Sequence, residues 1–244
     1  MQFRRIGQLV AATTVSAVAL SGAQAVAQEN KTTISVTNIT DIHGHLEDKI
    51  GDPAKAGDEI GVARLQTLIK QVNEGQEFNL TSSGDNVGGS AFVSAISDDK
   101  YTLEALNKMG MKVSAVGNHE FDKGTEDLTE RIQPNSTYPI LGANVLKDGQ
   151  PLLEPSHVED VDGVKVGYVG TVTENTKYKV SAAKIPGVTF TDPVKATNEE
   201  ATRLKESGEA DVVIALFHED AQEFAEGFNK DVDVLFGGDT HQRT

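Results

Sequence analysis

Apolar and polar residues alternate in "TTISVTNI" (32–39), a β-branched run with the two-residue period of a strand. The period then lengthens. In "GVARLQTLIKQV" (61–72), Val62, Leu65, Leu68, Ile69 and Val72 recur at helical intervals and predict one apolar helix face. "EFNLTSS" (77–83) and "MKVSAVG" (111–117) return to strand character, and "TLEALNKMG" between them reads as a helix closed by Gly110. "GVKVGYVGTVT" (163–173) predicts a longer, buried strand. Asp192 and Pro193 supply an N-cap and a first-turn proline, Val194, Ala201 and Leu204 an apolar stripe, and Gly208 the stop. "DVVIALFH" (211–218) and "DVDVLFGG" (231–238) are apolar strands joined by a short helical segment. Strand and helix alternating in this way predict an α/β domain with an internal sheet. The acidic loop 44–59 and the segment 144–160 read as insertions.

Composition changes the picture at the N-terminus. Arg4 and Arg5 precede an apolar run from Ile6 to Leu20, followed by Ala23, Ala25 and Ala27. This is the layout of a secretory signal peptide spanning 1–27, cleaved after Ala25 or Ala27, and it predicts an exported protein of the periplasm, cell wall or medium. The run is broken by Gln8 and several Thr and Ser, against the roughly 20 apolar residues of a membrane span. With 38% hydrophobic and 24% charged residues, the chain as a whole has the makeup of a globular protein.

Arg4 and Arg5 are the only charged residues in 1–27, so the net charge of −15 becomes −17 after cleavage. Such a surface repels nucleic acid polymers and anionic membranes. A small phosphate substrate is repelled too, unless bound cations reverse the local sign. The chain has no cysteine, which excludes disulfides, thiolate zinc sites and cysteine nucleophiles. Any metal must be held by oxygen and imidazole nitrogen.

Polar clusters follow five predicted strands. Asp41-Ile42-His43 follows the first, Gly84-Asp85-Asn86 the second and Gly117-Asn118-His119-Glu120 the third; His218 ends the fourth and Asp239-Thr240-His241 the fifth. Each cluster alone reads as a turn or a satisfied interior histidine. Together they lie where open α/β sheets bind ligands, beyond the carboxyl ends of the strands. The residue types suit one chemistry, because two divalent cations about 3.5–4 Å apart clamp a phosphoryl group and activate water. Asp85 is the choice for a bridging carboxylate.

In order, D-x-H (41–43), G-D-N (84–86), G-N-H-E-F-D (117–122), the single His218 and G-x-x-x-H (237–241) resemble the calcineurin-like metallophosphoesterases. The branch is that of the exported 5′-nucleotidases, UDP-sugar hydrolases and 2′,3′-cyclic nucleotide phosphodiesterases. "TNITDIHGHLE", "YPILGANV" (138–145) and "GVKVGYVGTVTENT" (163–176) support it, and the likeness covers roughly residues 30 to 241. The resemblance implies a four-layer α/β/β/α sandwich and two divalent cations (Mn, Zn, Ca or Mg). Asp41, His43 and His241 would hold the first ion, Asp85 would bridge, and Asn118 and His218 would hold the second. His119 matches the catalytic histidine, which touches the phosphate rather than a metal, and Asp122 the acid that orients it. Glu120 reads as structural, His45 as a neighbour of the ligands, and His157 as surface.

The sequence departs from the family at two points. Asp239 stands where members usually carry histidine; it is expected to hold the second ion and to favour harder metals. The chain ends at Thr244, directly after the last expected ligand. Members continue with the closing strands of the sandwich and a C-terminal domain that supplies the base stack and nucleotide-binding arginines. The expectation is therefore a catalytic domain, 28–244, incomplete at its C-terminus. Its expected activity is hydrolysis of small phosphate esters, 5′-nucleotides foremost. The rivals are cyclic phosphodiesterase or UDP-sugar pyrophosphatase activity, and, in another class, a non-catalytic metal- or phosphate-binding remnant.

Overall fold

All six predicted strands form, trimmed at their ends. The computed structural model describes residues 32–242 except residue 56, so the expected signal segment lies outside the described residues. Strands β1 (Val36–Ile39), β2 (Asn79–Ser82), β3 (Met111–Ala115) and β4 (Ile140–Leu141) form a parallel sheet in the order β1-β2-β3-β4. Next come β5 (Val145–Lys147), β6 (Gln150–Pro151), β7 (Ser156–Val161), β8 (Val164–Val172), β9 (Val188–Phe190), β10 (Val212–His218) and β11 (Val234–Gly237). A second sheet has the order β11-β10-β8-β7, parallel except for its edge strand β7, and β6-β5-β9 form a small antiparallel sheet.

The segment 144–160 is thus not a plain insertion, because β7 pairs with β8 along its whole length. Its polarity hid it: an edge strand with one partner carries His157, Glu159 and Asp160 at no burial cost.

Three apolar interfaces separate four layers. Ile69 of the helix Gly61–Val72 and Leu103 and Leu106 of the helix Lys100–Met109 pack with Leu80, Met111 and Ile140 of the first sheet. Val113, Ala115 and Leu141 meet Val166, Tyr168, Ile214 and Leu216 between the sheets. The buried Tyr168 hydroxyl accepts from Asn79 Nδ2 at 2.9 Å across that interface. Val169 and Val213 pack outward on Ala201 and Leu204 of the helix Pro193–Glu206, whose N-cap Asp192 accepts from the Lys195 N–H. In β8 and β10 alternate residues therefore serve opposite faces, and the order of layers is α/β/β/α. The first helix buries a narrower stripe than its sequence predicts, since Leu68 and Val72 are exposed.

Both sheets end their parallel strands at one shared edge. His218 Nδ1 donates to the Ser83 carbonyl at 2.8 Å and Ser83 Oγ to the Phe236 carbonyl at 3.2 Å, tying β10 and β11 to the turn after β2. Among the described residues no helix is long and apolar enough to cross a membrane.

Candidate metal centre

The turns that leave these strands are left-handed. Of nine non-glycine residues with positive φ among those described, five are Asp41, His43, Asp85, Asp239 and His241 (φ 42° to 67°). Left-handed backbone costs an L-residue about 1–2 kcal/mol, so its concentration here marks a site under functional constraint. The tight turns swing each side chain back over the sheet edge. Backbone bonds lock the first two together: Asp41 N–H donates to the Gly84 carbonyl at 3.0 Å and His43 N–H to that of Asp85 at 3.1 Å.

Asp85 lies at the centre and is almost fully buried. Its Oδ2 is 3.1 Å from His218 Nε2 and 3.7 Å from His43 Nε2, while Oδ1 accepts the His119 N–H at 2.8 Å. Asp41 Oδ1 lies 3.3 Å from His241 Nε2 and 3.9 Å from His43 Nε2. Candidate ligand atoms of Asp41, His43 and His241 lie mutually within 4.8 Å, as do those of Asp41, Asp85 and His218.

Two observations test whether this set suits divalent cations. Asp41 Oδ1 and His218 Nε2 are buried without a hydrogen-bond partner; the 3.1 Å approach of Asp85 to His218 lacks bonding geometry. Each orphaned atom costs about 1–3 kcal/mol unless something engages it. Second, the histidine tautomers are set. Nδ1–H of His218 is committed to Ser83 and Nδ1–H of His43 to the Gly88 carbonyl at 2.8 Å, so Nε2 of each ring faces the carboxylates and becomes a ligand once a metal displaces its proton. An inward-facing set of carboxylate oxygens and neutral imidazoles fits divalent metal ions.

Asn118 and Asp239 complete the cluster on the His218 side. Asp239 Oδ1 is 3.7 Å from His218 Nε2 and forms an ion pair with Lys179. With its amide oxygen inward, Asn118 lies 3.4 Å from Lys179 Nζ. Rotated, it donates to Asp239 Oδ1 at 2.9 Å and accepts the His119 N–H at 3.2 Å. A cation ligand requires the first orientation.

His119 faces the same space, its ring 5.0 Å from that of His43 and edge-on to it, and it lies within ligand reach of His43 and Asp85. Its Nδ1 donates to Asp122 Oδ2 at 2.8 Å, leaving Nε2 free. That carboxylate, more than the opposing burial, raises the imidazole above its ordinary value. Asp122 also accepts the Gly89 N–H at 2.8 Å, which fixes the acid in turn. Gly117 is required by close approach, since a Cβ there would collide with Asp85 Oδ1.

Glu120 is the residue whose task the sequence hid. It is buried, and its two oxygens accept the N–H groups of Asp85 (3.0 Å), Asn86 (2.8 Å), Val87 (3.3 Å) and Gly117 (2.7 Å). Burial, and after it the Asp85 charge, push its carboxyl up to about 7 against the pull of these donors. One side chain thus staples the turn after β2 to the turn after β3. Glu120→Gln turns an NH₂ toward N–H groups and should cost about 1–3 kcal/mol in urea unfolding. A change within about 0.5 kcal/mol, the range of an ordinary surface substitution, would contradict the staple. By contrast, His45 bonds Glu59 at 2.9 Å outside the cluster, and the half-exposed His157 pairs with Glu159.

Carboxylates also act on His218. Burial lowers an imidazole, but Asp85, then Asp41 and Glu120, outweigh it and push His218 up to about 9. The raised value means that protonated His218 stabilises the metal-stripped fold fully below about pH 6.5, and that this support is lost as pH rises through about 9. In chelator, the stability of wild type relative to His218→Asn should fall across that window by on the order of 2 kcal/mol. A constant difference in thermal unfolding would contradict it.

The calcineurin-like phosphoesterase family model matches residues 34–243. A Bacillus subtilis protein named endonuclease YhcR is 28% identical over 239 residues, covering 86% of this chain and 20% of its own. A Vibrio cholerae 5′-nucleotidase is 31% identical over 166 residues, covering 66% of this chain and 30% of its own. Among solved structures, the calcineurin-like phosphoesterase YfkN from Bacillus subtilis superposes with a TM-score of 0.72 at 25% identity, over 86% of this chain and 72% of that one. The chain spans less than a third of either curated relative's length. With a family match over nearly all the described residues and a fold to agree with it, the chain belongs to the calcineurin-like phosphoesterases.

Proposed function

We propose that this chain hydrolyses small phosphate esters, 5′-nucleotides first among them, at a centre for two divalent cations. The observation that carries this reading is Asp85 Oδ2 poised between the Nε2 atoms of His43 and His218, beside the orphaned Asp41 Oδ1. Asp41, His43 and His241 would hold one ion, Asn118, His218 and Asp239 the other, with Asp85 shared between them. Such a pair, when bound, supplies Lewis acidity toward phosphoryl oxygens and activates water.

The chain's own residues do the rest. Asp122 fixes the His119 tautomer and favours its protonated form, so Nε2–H points at the phosphoryl group. As water attacks phosphorus and the P–O bond to the leaving group breaks, His119 stabilises the departing oxygen and gives it the proton. The Glu120 staple holds Asp85 and the His119 turn in register during that step. Export through the segment 1–27, with 28–244 as the working domain, belongs to the same proposal.

The 5′-nucleotide preference draws on the Vibrio cholerae relative named for that activity. A substrate panel on the purified full chain tests it, with manganese, zinc, calcium or magnesium added. The panel holds a nucleoside 5′-monophosphate, a 2′,3′-cyclic nucleotide, a UDP-sugar, an aryl phosphate and, because one relative is named an endonuclease, DNA. The expected result is phosphate release fastest from the 5′-monophosphate; the net charge of −15 predicts no cleavage of DNA. Bound metal without turnover of any ester would favour a non-catalytic remnant instead.

A further inference from the structure

Among the described residues, one lysine reaches into the polar edge. Lys179 ends the one-turn helix Thr176–Lys179 that follows β8, and its ammonium is ion-paired to Asp239 Oδ1 and lies 3.4 Å from Asn118 Oδ1 when that oxygen faces inward. These are the two oxygens offered to the second ion, and His218 Nε2 is 3.7 Å from the same Asp239 atom. Among the described residues the opposite half of the centre has no counterpart: within it, the basic groups facing Asp41 are the His43 and His241 imidazoles. The two halves therefore differ in charge before any metal arrives.

Resting on the proposed dinuclear centre, we propose that Lys179 is an internal competitor for the second metal ion, held by Asp239 until a cation displaces it. The consequence is one tightly and one loosely held ion. An incoming divalent cation must take Asp239 Oδ1 from Lys179, and the ammonium then stands close to a like charge. Lys179 is well suited to yield, because its side chain is 38% exposed whereas that of Asp239 is 13% exposed. It can swing into solvent while the aspartate stays. Phosphate ester hydrolysis would then depend on free metal concentration through the second ion alone.

Calorimetric titration of the metal-free full chain with manganese tests this without reference to turnover. Wild type should bind one ion tightly and a second more weakly. Lys179→Met keeps the aliphatic stem and removes the charge; it should tighten the second ion by about tenfold or more and leave the first unchanged. Lys179→Arg keeps the charge and should keep the second ion weak, and far-ultraviolet circular dichroism checks that both variants fold. An unchanged second affinity in Lys179→Met would overturn the inference and leave the dinuclear centre standing. Wild type that binds no manganese would remove the centre itself, and the inference with it.

Discussion

Asp85→Asn should abolish hydrolysis and strip both cations at once. The carboxylate has one oxygen between His43 and His218 and the other on the His119 N–H, so it touches groups on both sides of the centre. Burial raises its carboxyl, but His218 and then the His119 N–H outweigh this and hold it low, so it is the anion that the site is built around. Asparagine retains the shape and one oxygen but loses the charge. Manganese affinity should fall by more than about a hundredfold for both ions, beyond the effect of an outer-shell change. Turnover should fall on the order of a thousandfold or more. Metal content and phosphate release are the measurements, and a variant that keeps two tight ions would contradict the bridging position.

His119→Ala should separate metal from chemistry. With His119 engaged by the phosphoryl group and Asp122 rather than by a cation, turnover should drop by roughly 10²–10⁴ while both ions stay. Its ring nevertheless lies within ligand reach of His43 and Asp85, which makes metal content decisive. Loss of an ion in parallel with activity would make His119 a ligand and leave the reaction without its proton donor.

Much of this candidate centre was legible because each donor lies at or just beyond the end of a strand. A two-residue period announces β1 and an apolar run β10, and in a parallel sheet a strand's end is already a place in space, so Asp41 and His218 come together despite a separation of 177 positions. The left-handed turns were not legible: Asp and His tolerate positive φ only when surrounding structure imposes it, and that structure is non-local. Glu120 read as structural, but its four backbone partners come from two turns separated by some 30 residues. Lys179 gave no signal, since an exposed lysine at a helix end is ordinary and its partner Asp239 lies on another element. The polar edge strand β7 failed for the converse reason, because its pattern matched a loop as well as a strand.

The most direct test is a crystal of the full chain grown with saturating manganese and measured at an anomalous wavelength. Two peaks about 3.5–4 Å apart are expected on either side of Asp85, one against Asp41, His43 and His241, the other against Asn118, His218 and Asp239. Manganese bound elsewhere, or none within reach of these side chains, would contradict the dinuclear centre.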